Sequence, residues 1–344
     1  MTSKHSSRLE EKTSKGLPVS SSHSTYTNMP TEPPLDRSER MSSQYKVPEA
    51  IPSSRRCEIG LLNVGNSCYQ NAVIQCILHL DDFGSSLTHI RGLGRSSLAR
   101  IIRDIFMKTI QANSRIIFEL SELRELMGNS NKAWKSKHQQ DAHEFLISLL
   151  DNLNDELKSR PRHNPVELYM TGKLLSRTSC SVCRTISKKE DLFTTLCLPV
   201  DSGCTLTSAL ASAYGHPELL TGENQFNCEV CRQRVDATRV LQVSNTPKIL
   251  VFALKRFKWE NGKAFKNCEY LDCPISWKIT KDLTYSLVAT VQHSGPGIHS
   301  GHYTAHVVDS SDQWYHCDDT RISEIKEDQV VDSDTYLLFY KSDN

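Results

Sequence analysis

No stretch of this 344-residue chain is apolar for long enough to span a bilayer as a helix, which takes about 20 residues. The opening Met1-Thr2-Ser3-Lys4-His5 is not followed by the apolar h-region of a secretory signal. Charge of one sign is missing too: 41 Lys and Arg stand against 40 Asp and Glu, a formal net charge of +1. A chain with no overall field gives no reason to expect direct nucleic-acid binding or attachment to an anionic membrane. Internal repeats are absent apart from two short cysteine pairs. These absences predict an intracellular protein, nuclear or cytoplasmic. In that reducing setting its 12 cysteines are thiols, metal ligands or catalysts rather than disulfides.

Residues 1 to about 55 are rich in Ser, Thr, Pro and mixed charge, as in Ser20-Ser21-Ser22 and Pro33-Pro34. They predict a disordered tail (1–55) ahead of one folded domain (56–344). From Cys57 to about Lys158 the apolar period is helical. Leu98, Ile101, Ile102 and Ile105 form one stripe, and Ile116, Leu120, Leu123 and Met127 a second, closed by Gly128-Asn129. Ala142, Phe145, Leu146, Leu149 and Leu153 form a third. Beyond Tyr169 the pattern turns to strands, notably 248–254, 287–291 and 336–340. Helices first and strands later predict an α+β fold.

Within the helical half, Val73, Cys76, Ile77 and Leu80 mark a buried helix beginning near Cys68. Gly65, Asn66 and Ser67 carry turn and N-cap chemistry, so Cys68 falls in a first helical turn, whose free N–H groups favour a thiolate. A buried structural cysteine is the alternative. Asn63, five residues upstream, can fold its amide over a reacting carbonyl. Cys180-x-x-Cys183 and Cys228-x-x-Cys231 have the spacing with which paired thiolates grip Zn²⁺ in a closed Cys₄ site; unrelated buried thiols are the alternative.

A thiolate hydrolase needs an imidazole and a group to orient it. Gly-rich 294–301 leads into an alternating strand at His302, and a second strand runs 313–319. With Ser310-Ser311 as a two-residue turn, His302 faces Asp319, and a one-residue slip puts it opposite Asp318. His299, His306 and His316 read as ordinary polar residues. Asp141 and Glu144 stand i, i+3 at a helix start, on one face, where they hold a cationic ligand or merely complement the helix dipole.

These boxes resemble those of the ubiquitin-specific proteases, a papain-like family of deubiquitinases. The chain matches Gly-Leu-x-Asn-Leu-Gly-Asn-Thr-Cys-Tyr-x-Asn-x-x-x-Gln at Gly60, Leu61, Asn63, Gly65, Asn66, Cys68, Tyr69, Asn71 and Gln75, departing at Val64 and Ser67. Gln139-Gln140-Asp141-x-x-Glu144-Phe145 follows, with His143 where Gln is commoner. Then come Leu254-Lys255-Arg256-Phe257, Gly301-His302-Tyr303 and Trp314-Tyr315-x-x-Asp318-Asp319. The resemblance covers about residues 57 to 342. It implies a helical thumb, a β-sheet palm and zinc-ribbon fingers at about 170–245, the Cys₄ zinc being structural.

It further implies Cys68 as nucleophile, His302 as general base, Asp318 as its orienter, Asp319 as an assisting acid and Asn63 as oxyanion donor. On the substrate side Asp141 and Glu144 would hold arginines of the ubiquitin tail. Phe257 would line the tail's channel, if it is not simply a core aromatic, and Tyr303 would close over the two glycines. Gln75 joins them as a box residue. The implied activity is isopeptide hydrolysis at ubiquitin's C-terminal glycine. A non-catalytic ubiquitin-binding scaffold and a protease for another ubiquitin-like modifier are the alternatives. His143, the closing box and the final strand look most like the histone-deubiquitinating subgroup of the SAGA coactivator complex. That likeness implies adaptor subunits of a chromatin complex as partners and favours the nucleus. Residues 1–55 cannot supply the N-terminal zinc-finger domain usual in that subgroup.

Overall fold

The computed structural model describes residues 59–111, 115–260, 263–297 and 300–343. The expected tail at 1–55, the domain start at 56–58 and His299 lie outside them. At the centre is α1 (Cys68–Leu78), all 11 of whose residues are buried. A helix buried on every side belongs inside a core rather than on it, and its polar Gln70, Asn71 and Gln75 are hydrogen-bonded there. It ends before Leu80, which is buried just ahead of α2 (Asp81–Thr88). Strand β1 (Ile59–Leu61) enters α1 and pairs in parallel with β2 (Ile116–Phe118). The first and third apolar stripes fold as α3 (Leu98–Gln111) and α5 (Ala142–Leu157). The second divides. Ile116 is taken into β2 by its pairing with Ile59, and only α4 (Ser121–Ser130) is helical, running through Gly128 and Asn129. Strand pairing at a distance has overridden a local helical period there.

A second unit is drawn from β3 (Gly172–Cys180), β4 (Ile186–Phe193), β5 (Thr195–Leu198), α6 (Leu206–Ala213), β6 (Pro217–Leu220), β7 (Phe226–Cys228), β8 (Gln233–Val235) and β9 (Ala237–Asn245). Of these, β4-β3-β9-β6 form a four-stranded sheet, and the β7–β8 hairpin lies beside its Cys180 end. The remaining strands are β10 (Ile249–Leu254), β11 (Phe257–Glu260), β12 (Lys263–Lys266), β13 (Ser276–Lys278), β14 (Thr284–Gly297), β15 (Ser300–Val308), β16 (Trp314–Asp318), β17 (Arg321–Ile325) and β18 (Thr335–Ser342). The large sheet has the order β17-β16-β15-β14-β18-β10-β5, with β13 on β14. Only β10–β5 is parallel in it. Its alternation puts Tyr303, Ala305, Val307 and Cys317 toward α1 in one core, and Trp314, Leu338 and Tyr340 into a second core behind. The α+β architecture is therefore a helical layer packed on one face of a mainly antiparallel sheet.

Candidate active site

Two left-handed residues, Gly65 (φ 77°) and Asn66 (φ 58°), turn the chain from β1 into α1. Asn66 Nδ2 donates to the Lys137 carbonyl at 2.8 Å, and Arg124 of α4 donates to the carbonyls of Val64, Trp134, Lys135 and Ser136. The loop is thereby tied to the helical layer. Ser67 is the N-cap residue of α1 as the sequence predicts, but its Oγ accepts from the Val64 N–H at 2.9 Å, so no side chain caps the helix. Cys68 is the first residue of that uncapped helix and only 2 % exposed. The first-turn N–H groups of such a terminus stay available to an anion.

Asn63 is held at both ends of its amide. Its Oδ1 accepts from the Ser67 N–H at 3.0 Å and its Nδ2 donates to Asp319 Oδ2 at 2.8 Å. Asp319 is the hub of this corner. Its other oxygen accepts from Asn71 Nδ2 of α1 at 2.7 Å, and its carbonyl accepts from the Leu61 N–H at 2.9 Å. It occupies the tight turn between β16 and β17 at φ 52°, a conformation that Asp tolerates better than most residues. Gly60 of β1 lies so close that a Cβ there would sit 2.9 Å from the Thr320 backbone, which is why the box opens on glycine. Asn71, which the sequence marks only as a box residue, thus joins the helix that carries the sulfur to the strand that carries the acids.

The hairpin bringing His302 to Asp318 differs from its expected form. Asp309 Oδ1 collects the N–H groups of Ser311 and Gln313, and Asp312 takes φ 60°, so the loop holds three residues, not two. Asp309 consequently pairs with Gln313, and the ladder runs from Val308↔Trp314 to Ala305↔Cys317. One step further sets Thr304 opposite Asp318, which makes His302 the diagonal neighbour of Asp318 on the same face. His302 Nε2 lies 2.6 Å from Asp318 Oδ1, with the side chains 42 % and 33 % exposed. Cys68 is the other group that acts on this imidazole. The hydrogen bond to Cys68 is the largest cause raising the His302 pKa to about 9; burial opposes it and Asp318 reinforces it. His306 and His316 pair with each other at 3.0 Å further along the same two strands.

This geometry coincides with a family match over residues 59–340 to the family described as Ubiquitin carboxyl-terminal hydrolase. The chain belongs to that family. It is 31 % identical over 316 residues to the Arabidopsis thaliana Ubiquitin carboxyl-terminal hydrolase 23, covering 84 % of this chain and 36 % of that protein. To the Mus musculus Ubiquitin carboxyl-terminal hydrolase 17-like protein B it is 30 % identical over 302 residues, covering 83 % of this chain and 64 % of the relative. The chain therefore spans only part of the relatives it matches. Its fold is also that of the SAGA Ubp8/Sgf11/Sus1/Sgf73 DUB module bound to ubiquitin aldehyde. There the TM-score is 0.71 at 23 % identity, over 89 % of this chain and 73 % of the other. The same module bound to monoubiquitin gives 0.72 at 24 %, with the same coverage.

In this member of the family the residues expected on the substrate side divide. Glu144 is exposed, but Asp141 is 6 % exposed and does not share its face. As N-cap of α5, Asp141 accepts from the Glu144 N–H at 2.9 Å with one oxygen and from the Tyr336 hydroxyl at 2.6 Å with the other. Both oxygens are thus engaged inside the chain. Gln75, expected on the substrate side, is 2 % exposed and donates to the Ile59 carbonyl at 2.6 Å, so it links α1 to β1. Phe257 is half-buried. It starts β11 after β10 breaks at Lys255-Arg256, and its ring meets His293 and Tyr336 edge-on, with centroids at 5.1 and 5.4 Å. Tyr303, buried on β15, also packs on His293, with ring centroids 4.6 Å apart. His143 reaches Thr195 Oγ1 at 2.9 Å. Sequence reasoning missed Tyr336, which gives no local signal because only the folded sheet carries it to Asp141.

The four cysteines of the two pairs converge, with every sulfur within 4.8 Å of the others. Cys180–Cys231 and Cys183–Cys228 are 3.8 and 3.6 Å apart. A tetrahedron with Zn–S bonds of 2.3 Å has edges of about 3.8 Å, so the set fits zinc. Both knuckles repeat one design. The Cys183 and Cys231 N–H groups donate to the Cys180 and Cys228 sulfurs at 3.4 and 3.5 Å, and Arg184 and Arg232 then turn left-handed. Four ligands close such a site, leaving no position for a substrate water.

Proposed function

We propose that this chain is a thiol-dependent deubiquitinase that hydrolyses the isopeptide bond after the C-terminal glycine of ubiquitin. The observation carrying this reading is the His302–Asp318 pair at 2.6 Å, whose imidazole is also acted on by Cys68 at the start of α1. His302 takes the thiol proton as Cys68 sulfur attacks the glycine carbonyl carbon, and the carbonyl electron pair moves to the oxygen. The second hydrogen of Asn63 Nδ2 and the first-turn N–H groups of α1 receive that oxyanion. The C–N bond then breaks while His302 gives its proton to the departing lysine amine. Water, deprotonated by His302, cleaves the resulting thioester and returns the free carboxylate and thiol. A thiol as enclosed as Cys68 is reached only by a thin main chain, which suits a Gly-Gly terminus. Exposed Glu144 would take the tail's arginines. Asp141, whose oxygens are engaged, would fix the start of α5, with Phe257 and Tyr303 as channel walls.

In this reading the Cys₄ cluster holds structural zinc, and ubiquitin with its conjugates is the partner. Adaptor subunits of a chromatin complex are supported by the likeness to the adaptor-bound SAGA module, and a nuclear location rests on the sequence resemblance alone. The test is an electrophilic ubiquitin probe run beside probes for other ubiquitin-like modifiers. Covalent capture at Cys68 by ubiquitin alone is expected. Capture of another modifier instead would redirect the substrate, and no capture by any would leave a binding scaffold.

The pH profile supplies a second check. A His302 proton held to about pH 9, against 6.5 ordinarily, places the alkaline limb of kcat/KM near pH 9. Asp318→Asn should move that limb down, and a wild-type limb near 6.5 would contradict the pairing. The sign for stability follows. With its folded value raised, His302 contributes fully below about pH 6.5, and the contribution is lost as pH rises through about 9.

A further inference from the structure

The residue just before His302 is held in an unusual way. A strand residue directs its N–H and C=O to the same edge, and those of Gly301 both go to one side chain. Gln139 Nε2 donates to the Gly301 carbonyl at 2.5 Å, and its Oε1 accepts from the Gly301 N–H at 2.9 Å. The amide therefore does what a neighbouring strand would do. It is needed because the β15–β16 ladder stops at Ala305↔Cys317, leaving the first residues of β15 with β14 alone. That remaining pairing is itself irregular, with a register shift between Ser294 and Gly297. Glycine is compulsory at 301, since a Cβ would lie 2.4 Å from His293 Nε2, so the strand start also has the greatest freedom to lose.

The other end of the tie is firm. Gln139 stands two residues ahead of Asp141, whose carboxylate caps α5 and accepts from Tyr336. The gap between sulfur and imidazole thus has two ties across it. Asp319 joins the end of β16 to Asn63 and Asn71, and Gln139 joins the start of β15 to the lead of α5.

We propose that Gln139 is a positioning residue for this hydrolysis: its amide, paired in both directions with Gly301, sets where His302 stands relative to Cys68. The proposal rests on the reading of Cys68 and His302 as the reacting pair. It concerns a residue whose box resemblance speaks only for its acids.

The test uses the whole chain with Gln139→Ala and Gln139→Glu. The second keeps the length and the acceptor for the Gly301 N–H but sets an oxygen against the Gly301 carbonyl. Both should lose about 10²-fold in kcat on a fluorogenic ubiquitin amide, the order expected for a catalytic group displaced by about 1 Å. KM, ubiquitin binding and melting temperature should hold. The alkaline limb should move down and Cys68 alkylation by iodoacetamide at pH 6, read by peptide mass, should slow, which a merely structural role would not produce. Unchanged kcat would overturn the proposal. So would a rise in kcat, which would make the amide a bar across the channel, or a rise in KM alone, which would make it a substrate contact. Unfolding of both variants would overturn it as well, since the amide would then be holding the fold. The underlying pair fails separately, if His302→Ala leaves Cys68 alkylation and hydrolysis as in the wild type.

Discussion

Replacing Cys68 with alanine is expected to remove hydrolysis of a fluorogenic ubiquitin amide to the assay floor, a loss on the order of 10⁶-fold as when a triad nucleophile is deleted. Binding of ubiquitin, followed by calorimetry, should persist, because the sulfur is enclosed at the base of the site and contributes no outer contact surface. The fold should persist too: the change removes one buried sulfur at a helix terminus and strips none of the ties made by Asn63, Asn71 or Asp319. A second consequence can be read at His302. The contact with Cys68 is the first cause of its raised pKa, so in the variant the imidazole should titrate well below 9, visible as a shifted ring resonance. Retained turnover would exclude Cys68 as nucleophile. An unshifted His302 would show that the two side chains do not meet in solution.

The metal prediction is larger in free energy. Structural zinc in small Cys-ligated units contributes about 10–16 kcal/mol to folding at neutral pH. The third buried cluster consists of little else: Cys180, Cys228 and Val235, with Cys183, Phe226 and Cys231 partly buried against them. So few apolar contacts cannot hold two knuckles and the β7–β8 hairpin in register. One zinc per chain is expected by elemental analysis, and Cys183→Ser or Cys231→Ser should abolish it and lower the melting temperature sharply. Chelation should unfold the knuckle region while Cys68 still alkylates, since neither Cys68 nor His302 touches those sulfurs. In the proposed reading, in which the zinc-ribbon fingers hold the far side of ubiquitin, capture by the ubiquitin probe should fall. Melting unchanged by chelator, or a metal-free chain with full probe capture, would refute a structural zinc.

The chemistry was more legible in the sequence than its exact placement. A cysteine at a helix start, two knuckles and a histidine before an alternating strand are local patterns, and local patterns survive translation into coordinates. α3 and α5 likewise follow their apolar stripes. What failed was set by partners distant in sequence. Ile116 carries a helical period, yet β1 claims it for a strand. The hairpin register turned on the side chain of Asp309 and the left-handed Asp312, and neither is visible in a count of turn residues. That one-residue change decides which acid shares a face with His302. Asp141 and Gln75 look like site residues by their motifs. Their burial comes from Tyr336 and Ile59, which only the folded chain brings near. Gln139 sat in a recognisable box without betraying its own task, since an amide pairing with a backbone has no spacing rule.

A helix enclosed on every side has little room to translate or rotate, because close-packed interiors resist small displacements. The sulfur riding on α1 is therefore the stationary half of the couple. Whatever adjusts the rate in this molecule must do so from the opposite wall, by leaning one corner of the large sheet toward the thiol or away from it. An inhibitor aimed at that corner would need no warhead for sulfur.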